Sequence, residues 1–466
     1  MPITAQELEE LSREELIKII IQLARENQVL TQLIKELEHK LLLNGKDSRT
    51  SSKPPSSDQN KKGKPKRNQS LRERTGKKPG GQLGHKGQTR QQTEPEEVVA
   101  CVPQECQKCG QSLLGLTADL VARRQELDIP PIKPILREYQ VLRVRCGCGH
   151  ENQGEFPEHI KAPMQLGLNI KSLISYLTTR HWMPYERVTI MAEDLFNCKI
   201  SEGSVDNILE GFYQNGKGLH KQIRDGIKQQ NWAGSDETGT RVEGKRWWQW
   251  VWQNFYGSYY VIRNSRGYKV IKEVFGEDYR GGLVHDCLSA QNMTVAKHGH
   301  QLCHEHLKRD LEFIIEAEES KWGYMVKKLL SKSERARDII WQPGFDRQLR
   351  QKVINDYHQR LTALLSLRTN TIEARKLWKR LIKHYEKIFF FMNSPDIPYH
   401  NNSSEQAIRS AKIKLKISGG FRSEHGAHRY AVLQSIIETC KKQKMDVLNS
   451  IKQVLLGQPL AFQWGT

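Results

Sequence analysis

The segment between residues 231 and 292 constrains the fold of this chain more than any other part of the sequence. Its alternation of apolar runs and turn residues predicts three strands, a helix and a fourth strand, in that order. The predicted strands are residues 232–236, 246–254, 259–264 and 282–286, and the predicted helix is residues 268–275. The first and the fourth strand each end in a carboxylate, Asp236 and Asp286.

This order of elements is the opening order of a ribonuclease-H-like fold, in which the first and fourth strands are neighbours in the sheet. We therefore expect Asp236 and Asp286 to approach the same metal ion. Hydrolysis of a phosphodiester requires an in-line nucleophile and a stabilised leaving oxygen, and two Mg²⁺ ions about 3.5–4 Å apart provide both. Because Mg²⁺ prefers oxygen ligands, carboxylates suit it better than His or Cys. The segment thus predicts two catalytic Mg²⁺ ions, which Mn²⁺ can replace.

A third carboxylate, Glu405, lies far along the chain, after a charged helical stretch (residues 316–391) that resembles an insertion. The residues that follow predict a helix that opens at Glu405, with Arg409 and Lys412 one and two turns later on the same face. Such a helix can hold a metal ion and DNA phosphate side by side. The spacing Asn402-x-x-Glu405 is also typical of a helix capping box, which leaves the role of Glu405 open at this point.

Two further polar residues, His306 and Arg309, follow the fourth predicted strand. We interpret both as contacts to DNA phosphate near the active site, since such histidines more often pack or form hydrogen bonds than bind a metal. Cys303-x-x-His306 has a spacing that can bind zinc, and His306 can share a metal with Asp310. No matching pair stands nearby in the sequence, so neither metal site is our prediction.

Four of the nine cysteines form two tight pairs. They are Cys106, Cys109, Cys146 and Cys148. The residues between the pairs, 138–145, alternate like a strand, and this arrangement resembles a zinc ribbon with tetrahedral thiolate ligation. Cys101 or His150 can take the place of one ligand, and buried free cysteines are the remaining alternative. We predict a structural Zn²⁺ ion and a reducing compartment.

Residues 7–43 form one predicted helix with a heptad repeat. Its leucines are Leu16, Leu23, Leu30 and Leu37, and the residues four positions later are Ile20, Asn27, Ile34 and Leu41. This is the a/d pattern of a coiled coil, in which a single Asn at an a position typically selects a parallel dimer. The alternative is an amphipathic helix that packs on its own chain.

Two stretches between this helix and the strands have weaker signatures. Residues 44–95 are rich in Ser and Pro, then in Lys, Arg and Gly, which predicts a disordered segment, either a solvated linker or a basic arm on phosphates.

Residues 161–228 are helical and fit a helix-turn-helix. Its helices are predicted at 169–182 and 185–196, its turn at 197–202 and its recognition helix at 203–213. A helical spacer gives a similar pattern.

The net charge of +20 indicates a polyanionic partner, because neutralised phosphates release their counterions. No apolar run approaches the roughly 20 residues that span a bilayer, and the N-terminus lacks the features of a signal peptide. We therefore expect a cytoplasmic, nucleoid-associated protein that binds double-stranded DNA and no membrane. A hydrophobic fraction of 37% allows a sizeable core over part of the 466 residues.

Several short motifs resemble those of IS66-type bacterial insertion-sequence transposases, which belong to the DDE class. They are Asp236-Glu-Thr, His285-Asp286, Cys303-His-Glu-His306-Leu-Lys-Arg309, Asn401-Asn-Ser-Ser-Glu405, the tail from Lys416 to Ala427 and the run 51–58. The resemblance extends over nearly the whole chain. It implies a catalytic triad of Asp236, Asp286 and Glu405, a zinc-binding domain, a helix-turn-helix and small accessory proteins of the same element. We expect Lys416 to contact DNA.

The chain departs from this pattern in two places. Many relatives have Ala-Glu-Arg where this chain has Ser404-Glu405-Gln406, so a basic neighbour of the glutamate is missing. The second cysteine pair is CxC rather than CxxC, which leaves the exact zinc ligands open.

The sequence thus predicts a multidomain α+β protein with a ribonuclease-H-like catalytic core. Its predicted parts are a dimerisation helix (1–43), a basic linker (44–95), a zinc ribbon (96–160), a helix-turn-helix region (161–228), the first part of the core (229–315), a helical insertion (316–395) and the second part (396–466). The expected activity is binding of terminal inverted repeats, hydrolysis that frees 3′-OH ends and their transfer to target DNA. The alternatives are a transposase-derived DNA-binding regulator without catalysis and a structure-specific nuclease.

Overall fold

The computed structural model describes residues 12–44, 81–82, 84–87, 89–130, 132–369 and 371–465. Within them the helices are α1 (Arg13–Asn44), α2 (Leu168–Arg180), α3 (Tyr185–Phe196), α4 (Glu202–Lys228), α5 (Tyr268–Val274), α6 (Ser289–Asn292), α7 (His304–Glu318), α8 (Lys321–Ile340), α9 (Arg347–Ser366), α10 (Ile372–Lys383), α11 (Asn402–Ser418), α12 (Glu424–Lys442) and α13 (Val447–Leu455). The strands are β1 (Arg143–Arg145), β2 (Glu151–Gln153), β3 (Trp232–Val242), β4 (Lys245–Gln253), β5 (Ser258–Arg263), β6 (Gly282–His285) and β7 (Gly299–Leu302). The chain is therefore a mixed α/β protein.

The main sheet has five strands in the order β5-β4-β3-β6-β7. The central strand β3 pairs antiparallel with β4 and parallel with β6, where Trp232 lies opposite Gly282. The first and fourth predicted strands are thus neighbours, and this prediction is confirmed.

The predicted end of the first strand is wrong, because β3 continues six residues past Asp236, to Val242. It ends only at a two-residue hairpin turn, in which Glu243 and Gly244 have φ values of 51° and 74°. A turn in which both central residues have positive φ matches the twist of the two antiparallel strands that it joins. Asp236 therefore lies within a strand, while Asp286 directly follows the end of β6.

The tryptophans of β4 form part of the core rather than a surface. Trp250 and Trp252 are fully buried on one face of the sheet, because residues two apart in a strand point the same way. Their rings stack on each other at 5.8 Å, and Trp252 stacks on Phe275 at 5.3 Å. Aromatic pairs at such distances stabilise a core beyond the area they bury.

The predicted recognition helix is longer than expected. The residues 203–213 are only the first half of α4, which continues to Lys228. Buried residues recur along its full length with helical periodicity, from Val205 to Ile227. At Gly216 an added Cβ would lie 2.7 Å from Ile436 on α12, so the two helices approach closely. The second predicted helix, residues 185–196, is confirmed as α3, which ends at Asn197 in a left-handed conformation.

A second hydrophobic core lies in the helices between β7 and α11. The predicted helical insertion (residues 316–391) corresponds to the end of α7, helices α8 to α10 and two short 3₁₀ turns. Its three tryptophans are anchored through their indole N–H groups. Trp322 donates to the carbonyl of Leu364, Trp341 to that of Met392 and Trp378 to that of Leu365.

The N-terminal helix α1 presents apolar side chains to solvent in the single chain. Leu23, Leu30 and Leu37 are each at least half exposed. Residues 7–11 of the predicted coiled coil and most of the predicted linker lie outside the described residues. In the described parts, no helix has both the length and the apolar character that crossing a bilayer requires.

One buried histidine makes folding stability depend on pH. His220 on α4 stacks on Tyr259 at 4.4 Å, and its Nε2 lies 3.0 Å from the carbonyl oxygen of Tyr260. Burial lowers the pKa of His220 to about 4. Since the unfolded chain takes up this proton near pH 6.5, the folded state loses stability as the pH falls from 6.5 towards 4.

We expect His220 to remove about 1–2 kcal/mol of unfolding free energy between pH 6.5 and pH 5. Urea unfolding of the wild type and of His220→Phe at both pH values tests this. The variant should have the smaller difference between the two pH values, whatever its absolute stability. Equal differences in the two proteins would contradict the assignment.

Candidate active site

Two aspartates and one glutamate meet at the junction of β3 and β6. Ligand oxygens of Asp236, Glu237 and Asp286 all lie within 4.8 Å of one another. Backbone amides fix two of the carboxylates: Asp236 accepts the N–H of Glu237 at 2.9 Å, and Asp286 accepts that of Leu288 at 3.0 Å. The parallel pairing of β3 with β6 therefore brings the two predicted aspartates together.

The carboxylates of this group repel one another. Burial, followed by the charges of Glu237, Asp286 and Glu405, raises the pKa of Asp236 well above its ordinary value. Crowded carboxylates in a buried place favour either protonation or a bound cation that neutralises them. The donor set consists of oxygens only, which suits a hard cation such as Mg²⁺.

Sequence reasoning missed Glu237. Its side chain is 1% exposed and forms an ion pair with Arg266 at 2.6 Å, and Gln291 donates to its other oxygen at 2.9 Å. Burial and the charge of Asp286 raise the pKa of Glu237 to about 7, against the opposing effect of Arg266. The only feature of the sequence that could have indicated Glu237 was its position next to Asp236. Because side chains alternate along a strand, this position places Glu237 on the opposite face of the sheet, and it was therefore not predicted.

Glu405 lies in a neighbouring group. Its Oε1 is 3.5 Å from Nδ1 of His306, and its Oε2 is 4.0 Å from Arg309. With Cys303 and His306 it forms a second set of ligand atoms within 4.8 Å of one another. The structure thus brings Asp236 and Asp286 into one group and Glu405 into another, although the charge of Glu405 still contributes to the raised pKa of Asp236.

The capping-box alternative for Glu405 is wrong. The N-cap of α11 is Asn401, and Asn402 is already helical. Asn401 makes no capping bond with its side chain, which instead donates to the carbonyl of Ser235 on β3 at 2.7 Å. The Oε1 atom of Glu405 is buried and has no hydrogen-bond partner among the described residues.

The start of α11 is held tightly against the sheet. Gln253 on β4 donates to the hydroxyls of Ser403 and Ser404, at 2.7 and 3.1 Å. Lys442 on α12 donates to the Oε1 of Gln253 at 2.5 Å, and burial lowers the pKa of Lys442 to about 7. Gly234 on β3 makes room for this packing, because a Cβ there would lie 2.5 Å from Ser404 Oγ. These contacts position Glu405.

A cavity of about 240 Å³ opens beside Asp286. It is lined by Asp286, Cys287, Leu288, Leu302, Cys303, His306, Leu307, Asp310 and Arg380. Arg380, from the helical insertion, forms an ion pair with Asp310 on α7. The predicted site residue His306 therefore borders both Glu405 and the space next to Asp286.

The other predicted DNA contacts lie along α11. Arg409, Lys412 and Lys416 are exposed and follow Glu405 by one, two and three turns. The Lys412 ammonium donates to the carbonyl of Gly239 on β3 at 3.3 Å. Arg309, by contrast, is half-buried near Glu405.

The predicted zinc ligands form two separate loops. Cys106 accepts the N–H of Gly110 through its carbonyl at 2.9 Å, and Gly110 has a φ of 73°. Cys146 does the same with Gly149 at 2.8 Å, where φ is 88°. Backbone amides within each loop lower the pKa of Cys106 and Cys146.

The two loops are not joined into one ligand group. Among the described residues, none of Cys106, Cys109, Cys146 and Cys148 belongs to a set of three or more ligating side chains with atoms within 4.8 Å. A zinc site at these cysteines stays a prediction.

Comparison with known proteins gives the following matches. Residues 164–429 match the model described as "Transposase IS66 family", and residues 3–91 match a family of unknown function (DUF6444). An "Uncharacterized protein y4jO" from Sinorhizobium fredii (strain NBRC 101917 / NGR234) is 29% identical over 150 residues, which are 31% of this chain and 44% of that protein. The chain thus spans less than half the length of that relative.

Proposed function

The chain belongs to the IS66 family of transposases, and from this premise we propose that it cuts and joins DNA strands with Asp236, Asp286 and Glu405 as its catalytic carboxylates. The observation that carries the proposal is the pairing of β3 with β6, which gathers Asp236 and Asp286 within 4.8 Å. Glu405 lies in the adjacent group, close enough for its charge to act on Asp236.

We propose further that the sheet is a ribonuclease-H-like core. The strand order β5-β4-β3-β6-β7, with β3 and β6 parallel and β4 antiparallel, supports this assignment. Helices α8 to α10 then form an insertion between the sheet and α11. The domain boundaries predicted from the sequence belong to the same proposal. One of them changes, because α4, which was predicted as part of the helix-turn-helix region, packs into the core along its whole length.

The residues at the site fit divalent metal ions. Asp236 and Asp286 offer carboxylate oxygens, and Glu405 offers a buried Oε1 without a hydrogen-bond partner. Bound Mg²⁺ or Mn²⁺ ions would supply the charge that stabilises the attacking and leaving oxygens of a phosphodiester. Asp236, Asp286 and Glu405 would hold these ions. The water or 3′-OH nucleophile requires no covalent bond to the protein.

The basic residues of the chain bind the DNA. Arg409, Lys412 and Lys416 lie in a row on α11 and lead away from Glu405, so they contact phosphates on one side of the scissile bond. Arg309 and His306 contact DNA nearer the reacting phosphate, and the net charge of +20 adds an attraction that salt weakens. Helices α2 and α3 with the start of α4 bind the terminal repeats.

The α1 helix pairs with the same helix of a second copy. Leu23, Leu30 and Leu37 are at least half exposed in the single chain, and burying them in a parallel coiled coil removes this apolar surface from water. Replacing Leu23 and Leu30 with Glu should shift sedimentation from dimer to monomer. An unchanged sedimentation coefficient would assign dimerisation to another surface.

Incubation of the full-length protein with labelled element ends, with and without Mg²⁺, tests the activity. We expect nicks that release a 3′-OH at the terminal repeats only when Mg²⁺ or Mn²⁺ is present. Scrambled repeats of equal length serve as the control substrate. Sequence-specific binding without cleavage in either metal would identify a DNA-binding regulator instead, and equal cleavage of both substrates would identify a structure-specific nuclease.

A further inference from the structure

A mixed group of ligand atoms lies beside the aspartates, at the meeting point of α7 and α11. Cys303 is the N-cap of α7, and His306 follows in the first turn of that helix. Their ligand atoms and a carboxylate oxygen of Glu405 lie within 4.8 Å of one another. The pair Cys303-x-x-His306 has no partner nearby in the sequence, but the fold supplies one from a distant helix.

Two atoms of this group are buried without a hydrogen bond. His306 Nδ1 and Glu405 Oε1 are 3.5 Å apart, and neither has a hydrogen-bond partner among the residues that the structure describes. A buried polar atom left unpaired destabilises the fold, and a bound cation would relieve this cost. Cys303 Sγ, in contrast, accepts the N–H of Asn401 at 3.2 Å, which fixes the sulfur against the residues that lead into Glu405. A sulfur, a nitrogen and an oxygen therefore lie close enough together to share one cation.

We propose that Cys303, His306 and Glu405 form a binding site for a soft divalent cation of the Zn²⁺ type. One thiolate, one imidazole and one carboxylate are a ligand set that Zn²⁺ accepts and Mg²⁺ does not, and a fourth position remains for water. The all-oxygen group of Asp236, Glu237 and Asp286 has the opposite preference. Two adjacent groups thus select different metals. The structure places Glu405 with Cys303 and His306, whereas our proposed function assigns it to the catalytic metals of Asp236 and Asp286.

Binding of Zn²⁺ releases the thiol proton of Cys303 to solvent. Because the proton and the cation compete for the sulfur, the affinity should increase with pH. If the proposed function is correct, Zn²⁺ at this site also withholds Glu405 from the catalytic metals. Micromolar Zn²⁺ would then inhibit strand cleavage in the presence of Mg²⁺.

Titration of the full-length protein with Co²⁺ tests the site, because a cysteine ligand gives cobalt a thiolate charge-transfer absorption. Thiolates at the predicted zinc cysteines would add to the same absorption, so the titration uses a variant with Ser at those positions. Those positions are Cys106, Cys109, Cys146 and Cys148. In this background we expect one tightly bound Co²⁺ per chain, and Cys303→Ser should abolish its charge-transfer band.

The matched control is Cys287→Ser, which changes a cysteine of the same cavity that lies outside the ligand group. It should keep the band. A Cys303→Ser protein that binds Co²⁺ with the same stoichiometry and spectrum as its parent would overturn the proposal. If the background variant does not fold, the same comparison is made between wild type and Cys303→Ser by difference spectra.

A further variant separates this proposal from the proposed function. Asp286→Asn should bind Co²⁺ as the wild type does, whether or not the protein cleaves DNA. Loss of cleavage with intact Co²⁺ binding supports both proposals, while normal cleavage with intact binding removes only the catalytic one. Inhibition by Zn²⁺ is expressed relative to the cleavage rate of the same variant without Zn²⁺. We expect Zn²⁺ to inhibit Cys303→Ser at least about tenfold more weakly than the wild type.

Discussion

Asp286→Asn is expected to lower Mg²⁺-dependent cleavage of the element ends by roughly 10³-fold or more, since metal ions supply several kcal/mol of transition-state stabilisation. The substitution keeps the size of the side chain, and the amide oxygen can still accept the N–H of Leu288. It removes the charge that shares a site with Asp236. Folding and DNA binding should therefore persist while cleavage is lost. Single-turnover cleavage and gel-shift titration measure the two properties.

The matched control for this prediction is Asp278→Asn. Asp278 is exposed and forms an ion pair with Lys228 on α4. It undergoes the same chemical change, so its cleavage rate should stay within about twofold of the wild type, as expected for an exposed ion pair. An Asp286→Asn protein that cleaves at the wild-type rate would remove Asp286 from the catalytic set.

Four of the five strands and the two aspartates could be predicted because their signals are local, whereas β7 was missed. Apolar runs with a period of two mark the strands, and turn residues separate them. The position of Asp236 within β3 could not be predicted in the same way. The strand continues through Thr238 and Thr240, whose polarity resembles that of a loop, and only the register with β4 shows that they pair.

Local sequence patterns could not predict which residues surround Glu405. Its neighbours His306 and Arg309 come from a helix almost a hundred residues earlier. The first turn of α11 gives the same pattern for a capping box and for a ligand, and only the fold shows that the N-cap, Asn401, uses its side chain to contact β3 instead of capping the helix. The same limit explains the length of α4, because a recognition helix and a core helix share one apolar period, so the sequence did not show that the helix continues into the core as far as Lys228.

The second large effect is expected at Gly234, which carries no functional group. A Cβ at this position would lie 2.5 Å from Ser404 Oγ, 3.0 Å from Gln253 Nε2 and 3.1 Å from Asn401 Oδ1. All three atoms belong to side chains that hold the start of α11 against the sheet. Gly234→Ala should therefore push this helix outward, lower the unfolding free energy by about 1–3 kcal/mol and slow cleavage by roughly a hundredfold.

Two comparisons make this prediction specific. Gly239→Ala changes another glycine of β3, where an added Cβ meets nothing within 4 Å, so it should have little effect on stability or cleavage. Ser404→Ala in the Gly234→Ala background removes the atom nearest to the new Cβ and should restore part of the cleavage rate. Such rescue would show that the loss arises from displacement of Glu405 rather than from a weakened sheet. If Gly234→Ala cleaves as well as Gly239→Ala, the position of Glu405 does not depend on this contact, and the carboxylate must reach the metals by another movement of α11.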